Sequence, residues 1–147
     1  MESELFPALR TLGIRFYVFH PLAGGLLTSN FGNSDGLSKT YVGYNGDAAG
    51  REMYLKKSYV RARTELDNTC KTFGVSLQDA SLRWLAHHSM LRTTRDDGII
   101  LGGSKISHLK DNIQSVRRAG PLPLTLVVAF DAAWEACKID CPAYFYH

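Results

Sequence analysis

Two short β-type runs, Ile14 to Phe19 and Gly98 to Leu101, are the only convincing strands in this 147-residue chain, and each breaks into a turn-forming stretch. The first is aromatic and β-branched, and Pro21, with no N–H to give a ladder, stops it just before Gly24 and Gly25. The second follows the turn Asp96-Asp97-Gly98 and opens into Gly102-Gly103-Ser104. Two strands cannot close a barrel on their own, since eight-stranded barrels take roughly 250 residues. The rest of the chain must therefore be helix and loop.

The apolar spacing supplies the helices. Leu5, Leu9 and Leu12 share one face over Glu2 to Leu12, and Gly13 is a C-terminal stop. Arg51 to Thr72, with Met53, Tyr54, Val60, Leu66 and Cys70 among many charges, reads as one helix with a broad wet face that ends at Gly74. Ser76 and Asp79 form a capping-box-like pair, with Ser76 as N-cap of a helix carrying Leu77, Ala80, Ser81, Trp84, Leu85 and His88 on one face. Gly102-Gly103-Ser104 leads straight into a helix whose stripe is Ile106, Leu109, Ile113 and Val116, closed by Arg117, Arg118, Gly120 and Pro121. After Pro123 another helix carries Leu126, Val127, Phe130, Trp134 and Cys137, and the aromatic tail Tyr144-Phe145-Tyr146 follows Pro142. Between Ser29 and Gly50 the composition shifts to Gly, Asn, Ser and Asp, which marks a long loop or insertion.

Composition narrows the class of partner. An apolar content of 45% suffices for a buried core, so the chain is globular. A net charge of +3 is mild beside the concentrated basic faces of nucleic-acid binders. Lys56, Lys57, Arg61, Arg63, Arg92 and Arg95 are interleaved with Glu65, Asp67 and Asp96, with no recognition motif, so no nucleic-acid partner is expected. No apolar run approaches the roughly 18 residues of a membrane span, and no charged-then-apolar leader is present, so no membrane partner is expected and the expected location is cytoplasmic. Cys70, Cys137 and Cys141 make an odd set without a CxxC pair, which suits reduced thiols.

Both strand exits carry chemistry that the residues alone leave open. Phe19, at the end of the first strand, can present its ring to a flat heterocycle, while Gly24 and Gly25 let backbone N–H groups approach a pyrophosphate. A tight turn beside a core aromatic explains the same residues. The second exit places free N–H groups and the positive end of a helix where an anion can sit. It is neither GxGxxG nor a Walker loop, so the pattern alone is weak, and Lys110 reads equally as a solvated helix face. His87 and His88 point about 100° apart on a helix and cannot chelate one metal. Asp96 and Asp97 read as turn residues, and no Ser-His-Asp set can be assembled.

Taken in order, Glu4-Leu5-Phe6-Pro7, Phe16 to Thr28 (FYVFHPLAGGLLT), Leu82-Arg83-Trp84 with His87-His88, Ile100-Leu101-Gly102, Leu109-Lys110-Asp111-Asn112 and Cys141-Pro142-Ala143-Tyr144-Phe145 resemble the NADP-dependent aldo-keto reductases, aflatoxin-aldehyde reductase branch. The resemblance covers nearly everything except roughly residues 32–50. It implies an α/β fold: residues 1–147 as the C-terminal part of one (β/α)8 TIM barrel domain, mostly helical with about two parallel core strands, and 32–50 as a loop or insertion within it. It implies NADP(H) as cofactor and a small carbonyl compound as substrate of the parent enzyme, reduced from aldehyde or ketone to alcohol.

In that family the aromatic at Phe19 stacks on the nicotinamide. The stretch matching His20, Pro21, Leu22, Ala23, Gly24, Gly25, Thr28 and Asn30 wraps the pyrophosphate. Ser104, Lys105 and His108 would meet the adenosine 2′-phosphate, and Asp111 and Asn112 would face the adenine amine. Lys105 and Lys110 favour NADP over NAD, because a dianionic phosphate calls for charged donors. The branch usually carries Tyr at Phe19, Asn or Ser at His20, and Thr-Gly-Lys-Tyr where this chain has Thr28-Ser29-Asn30-Phe31, which removes a cationic phosphate partner and implies lower affinity. The catalytic Asp, Tyr, Lys and His belong to earlier strands, so no catalytic residue is assigned here and the chain alone is expected to be inactive. A complementary N-terminal half or a second copy of the chain is the expected macromolecular partner, since an open strand edge invites pairing.

Overall fold

The computed structural model describes residues 2–28, 31, 54–103, 105–117 and 120–141. In chain order the described elements are helix α1 (Leu5–Thr11), strand β1 (Tyr17–Val18), a 3₁₀ turn (Ala23–Gly25), helices α2 (Lys57–Thr72) and α3 (Leu77–His87), a 3₁₀ turn (Thr93–Arg95), strand β2 (Gly98–Ile99), helices α4 (Ile106–Arg117) and α5 (Leu124–Cys137), and a last 3₁₀ turn (Lys138–Asp140). The expected loop over 32–50 and the aromatic tail from Tyr144 lie outside the described residues.

β1 and β2 are parallel, with Tyr17 opposite Gly98 and Val18 opposite Ile99. Both runs pair over less than their predicted length. The ladder is held by Gly98 N–H donating to the Phe16 carbonyl at 3.0 Å and Ile100 N–H donating to the Val18 carbonyl at 2.8 Å. Gly98 is required at its place in this pair, because a Cβ there would come within 2.9 Å of the Tyr17 ring.

Local chemistry sets the helix ends. Gly13 and Gly74 both adopt left-handed φ, +66° and +65°, and the next residue's N–H reaches back to close the helix: Ile14 to the Leu9 carbonyl at 2.9 Å, Val75 to the Cys70 carbonyl at 3.1 Å. At the start of α3, Asp79 N–H donates to the Ser76 hydroxyl oxygen at 3.1 Å, the cap that the sequence announces.

The core lies between helices. Leu66 and Cys70 of α2, Leu77 and Ala80 of α3, and Leu122 and Leu126 at the start of α5 form one buried cluster. Trp84 stacks on Phe130 beside it, with centroids 6.0 Å apart. Burying a leucine stabilises by about 2 kcal/mol, so this cluster is the main anchor of the described structure. α2 packs chiefly on α5 and α3 chiefly on α4. On the strand side, Phe6 of α1 is buried and meets Phe16 at a centroid distance of 5.0 Å.

Three apolar faces differ from the expected ones. In α1 the buried side chain is Phe6, while Leu12 is exposed. In α5 Leu126 is fully buried, but Trp134 is half exposed. In α4 Ile106 stands out in solvent and Asn112 and Ser115 are buried instead. The α4 difference has a physical cause: its inner face meets α3 through a polar contact, in which the Gln78 amide donates to Asn112 Oδ1 at 2.7 Å.

Candidate functional site

Because β1 and β2 run in the same direction, the segments that follow them emerge at one rim of the strand pair. Phe19 is the first residue past β1 and is 69% exposed. Its ring lies 5.1 Å from the His20 ring, tilted by 58°. His20 turns the chain with φ +50°, and Ala23 repeats the conformation at +49°. Left-handed backbone costs a non-glycine residue about 1 kcal/mol or more, so this exit holds its path at some expense. His20 Nδ1 lies 3.4 Å from the Tyr54 hydroxyl.

The turn that follows is self-contained. Ala23 N–H donates to the His20 carbonyl at 2.8 Å, Gly25 N–H to the Leu22 carbonyl at 2.9 Å and Thr28 N–H to the Gly25 carbonyl at 3.1 Å, with the Thr28 hydroxyl adding a second bond to Gly25 at 2.8 Å. The expected bank of bare N–H groups is therefore largely turned inward. What the glycines provide is shape: Gly24 and Gly25 take φ +63° and +106°, and a Cβ added at Gly25 would meet nothing within 4 Å. Asn30 lies outside the described residues.

Arg63 of α2 braces this turn from behind. Its guanidinium donates to the Leu26 carbonyl at 3.2 Å and the Thr28 carbonyl at 3.0 Å, and sits 5.2 Å from the Phe31 ring centroid. Asp67, one helical turn on, holds Arg63 at 3.3 Å and Lys71 at 2.9 Å. Nothing in the spacing of the sequence singles out Arg63, which looks like one more charge on a wet helix.

At the second exit, Gly102 is exposed with open space beside it, while Gly103 is hemmed in. A Cβ on Gly103 would approach His108 Cβ at 3.1 Å, Leu109 N at 3.2 Å and the Lys105 carbonyl at 3.3 Å. Lys105 and Asp111 are exposed and His108 is half-buried around the first turns of α4. Asn112 is 3% exposed, and its amide joins three elements: Nδ2 donates to the Gly102 carbonyl at 2.9 Å while Oδ1 accepts from Gln78. That bridging role, which fixes the β2 exit against α4 and α3, is invisible in the sequence. Ser104 lies outside the described residues.

Behind the rim sits a charged knot. The Asp97 carboxylate, with a fully buried side chain, accepts from the Arg10 guanidinium, from Phe16 N–H at 2.9 Å and from Arg92 N–H at 2.8 Å. Burial alone raises its pKa, but the bonds from Arg10, Arg92 and Phe16 outweigh that and hold it down at about 2. Asp96 is the turn residue expected, with φ +58°, whereas Asp97 is a structural anchor. His88 accepts from Leu122 N–H at 2.8 Å through Nε2, and burial, with the charges of His87 and Arg83, depresses its pKa. Accepting at Nε2, the half-buried ring ties the end of α3 to the segment before α5. Cys70 is fully buried, and burial followed by the charge of Asp67 raises its thiol to about 11, which removes it as a nucleophile. Among the described residues no three His, Cys, Asp or Glu side chains converge as metal ligands, and no helix is long and apolar enough to cross a membrane.

A parallel strand pair, helices after the strands and two glycine-bearing exits on one rim make an α/β unit of the kind from which parallel barrels and open sheets are both built. Residues 1–134 match the aldo/keto reductase family model. The chain is 38% identical over 153 residues to aflatoxin B1 aldehyde reductase member 2 of Mus musculus, covering 99% of this chain and 41% of that protein. It is 37% identical to aldo-keto reductase family 7 member A3 of Homo sapiens, covering 99% and 46%. A fungal aldo-keto reductase of Pseudocercospora fijiensis is 36% identical, with 99% and 50% covered. The chain belongs to the aldo/keto reductase family, and its strand pair and helices are part of that family's (β/α)8 barrel. It spans half or less of the length of these relatives.

Proposed function

We propose that this chain is the cofactor-holding, C-terminal part of an NADP(H)-dependent aldo-keto reductase that reduces aldehydes or ketones to alcohols, with residues 1–147 as one portion of a single barrel domain. The observation that carries this reading is the 2.8 Å bond from Ile100 N–H to the Val18 carbonyl. It sets the two strand ends side by side, which supports a reading in which Phe19 and the start of α4 serve one ligand. The names of the relatives, an aflatoxin B1 aldehyde reductase among them, support a carbonyl substrate.

The residues fit a dinucleotide. Phe19 offers an exposed aromatic ring for the nicotinamide, and the turn from His20 to Thr28, open beside the Gly25 Cα, suits the pyrophosphate. Lys105 and His108, around the first turn of α4, suit the 2′-phosphate, where the helix N-terminus adds positive potential. Asp111, exposed on α4, suits the adenine amine; Asn112, expected to face it too, is buried with its amide spent on Gly102 and Gln78, so it holds the β2 exit instead. When bound, the reduced dinucleotide supplies the hydride. This chain's residues hold and orient it; the proton donor and its supporting groups belong, by the family resemblance, to strands outside this chain.

Removing the Lys105 charge tests the assignment. In Lys105→Met, NADPH affinity is expected to fall about tenfold while NADH affinity changes less than about twofold. Equal loss for both cofactors, or no loss for either, contradicts the 2′-phosphate role.

A second reading, a non-catalytic module that docks on a complementary barrel half or on another copy, draws on the exposed Ile14, Tyr17 and Ile100 around the strand pair. It predicts concentration-dependent association of the purified chain on size exclusion and no turnover of 4-nitrobenzaldehyde with NADPH above the uncatalysed rate. A well-folded monomer at all concentrations sinks the docking reading, and enzyme-like turnover sinks the assignment of chemistry to other strands.

A further inference from the structure

Resting on the dinucleotide reading above, we infer that Arg63 is the positioning residue of the β1 exit, setting the turn that receives the nicotinamide and pyrophosphate half of the cofactor. Leu26 of the turn is buried and Leu27 packs against the core cluster, but these apolar contacts leave the direction of the turn's carbonyls to polar partners. Its backbone hydrogen bonds run within residues 20–28, His20 also reaches the Tyr54 hydroxyl at 3.4 Å, and two of its residues, His20 and Ala23, sit in left-handed backbone conformations that the surrounding structure must hold. Arg63 contributes a fork of two bonds, one to Leu26 and one to Thr28, which fixes both carbonyls relative to α2.

The brace is built to be stiff. The Arg63 side chain is 10% exposed and Asp67 is 14% exposed, so the pair is only lightly screened. α2 itself is anchored in the core through Leu66 and Cys70, which lie on the next turns of the same helix. The path from core to ligand rim is therefore short: core cluster, α2, guanidinium, carbonyl, turn. Arg63 donates to backbone carbonyls and to Asp67, so its fork is committed to the protein. Its effect on a ligand passes through the turn.

This assignment separates the two ends of the cofactor. A turn held by Arg63 governs the nicotinamide end, whereas the adenosine end depends on α4 and on Asn112. Adenosine 2′,5′-bisphosphate, which carries only the latter end, is the probe that tells them apart.

The experiment compares the chain with Arg63→Met and Arg63→Lys by NADPH titration, by adenosine 2′,5′-bisphosphate titration and by amide hydrogen exchange without ligand. Arg63→Met is expected to weaken NADPH binding about tenfold, to leave the bisphosphate within about twofold, and to speed exchange at Gly25 and Thr28 while α3 amides are unchanged. Arg63→Lys, which keeps the charge but loses the fork, is expected to fall with Arg63→Met. If Arg63→Met does not fold, Asp67→Asn, which leaves the guanidinium in place but unanchored, is expected to give the same pattern at smaller amplitude. Equal weakening of both ligands, unchanged exchange in the turn, or full recovery in Arg63→Lys overturns the inference. Failure of the unmutated chain to bind NADPH overturns the dinucleotide reading instead, and the exchange data then judge the brace by themselves.

Discussion

Asp97 shows how one side chain can hold an irregular junction. Its carboxylate takes donors from α1, from the residue entering β1 and from the turn before β2, beside the Phe6–Phe16 ring contact that joins the first two. Its folded pKa, about 2, lies below the ordinary value of 3.8. A depressed carboxylate contributes stability that is complete above its unfolded pKa and lost as pH falls through the folded one. Urea midpoints of the chain are therefore expected to drop between about pH 4 and pH 2, a window fixed by those two values. Asp97→Asn is expected to lose roughly 3 kcal/mol at neutral pH, as for other broken buried pairs, and to flatten that acid drop. An acid profile identical to that of the unmutated chain contradicts the anchor.

At the scale of elements, the second exit depends on a close approach between a turn and a helix. Gly103 packs on His108 Cβ, Leu109 N and the Lys105 carbonyl, none of them a flexible side-chain tip, so Gly103→Ala must move the turn or the helix. Such overpacking costs about 1–3 kcal/mol. The expected outcome is a lower melting temperature together with weaker binding of adenosine 2′,5′-bisphosphate; normal values of both contradict the packing. The sequence disclosed the start of this unit well, because glycines, caps and strand residues act locally: Gly13, Gly74 and Ser76 do at their helix ends what their side chains dictate. It disclosed helix faces less well. Ile106 and Leu109 keep helical spacing with Ile113 and Val116, yet Asn112 and Ser115 are buried, because the partner helix supplies Gln78 and the turn supplies a carbonyl. Such partners are distant in sequence, and periodicity carries no record of them. Arg63 was hidden for the same reason: its bonds run to residues more than thirty positions away.

Across the whole molecule, the order of short motifs points to the family that the comparisons give, and the parallel strand pair expected from that resemblance is the pairing observed. The rim where both exits meet comes from that pairing, not from any one motif. On the proposed function, a single phosphorylated dinucleotide touches both exits at once. Intermolecular nuclear Overhauser effects in an isotope-labelled chain saturated with NADPH test this directly. Contacts from the nicotinamide protons to the Phe19 ring and from the adenine protons to Asp111 are expected in one complex. Contacts confined to one exit, or no saturable complex, would contradict it.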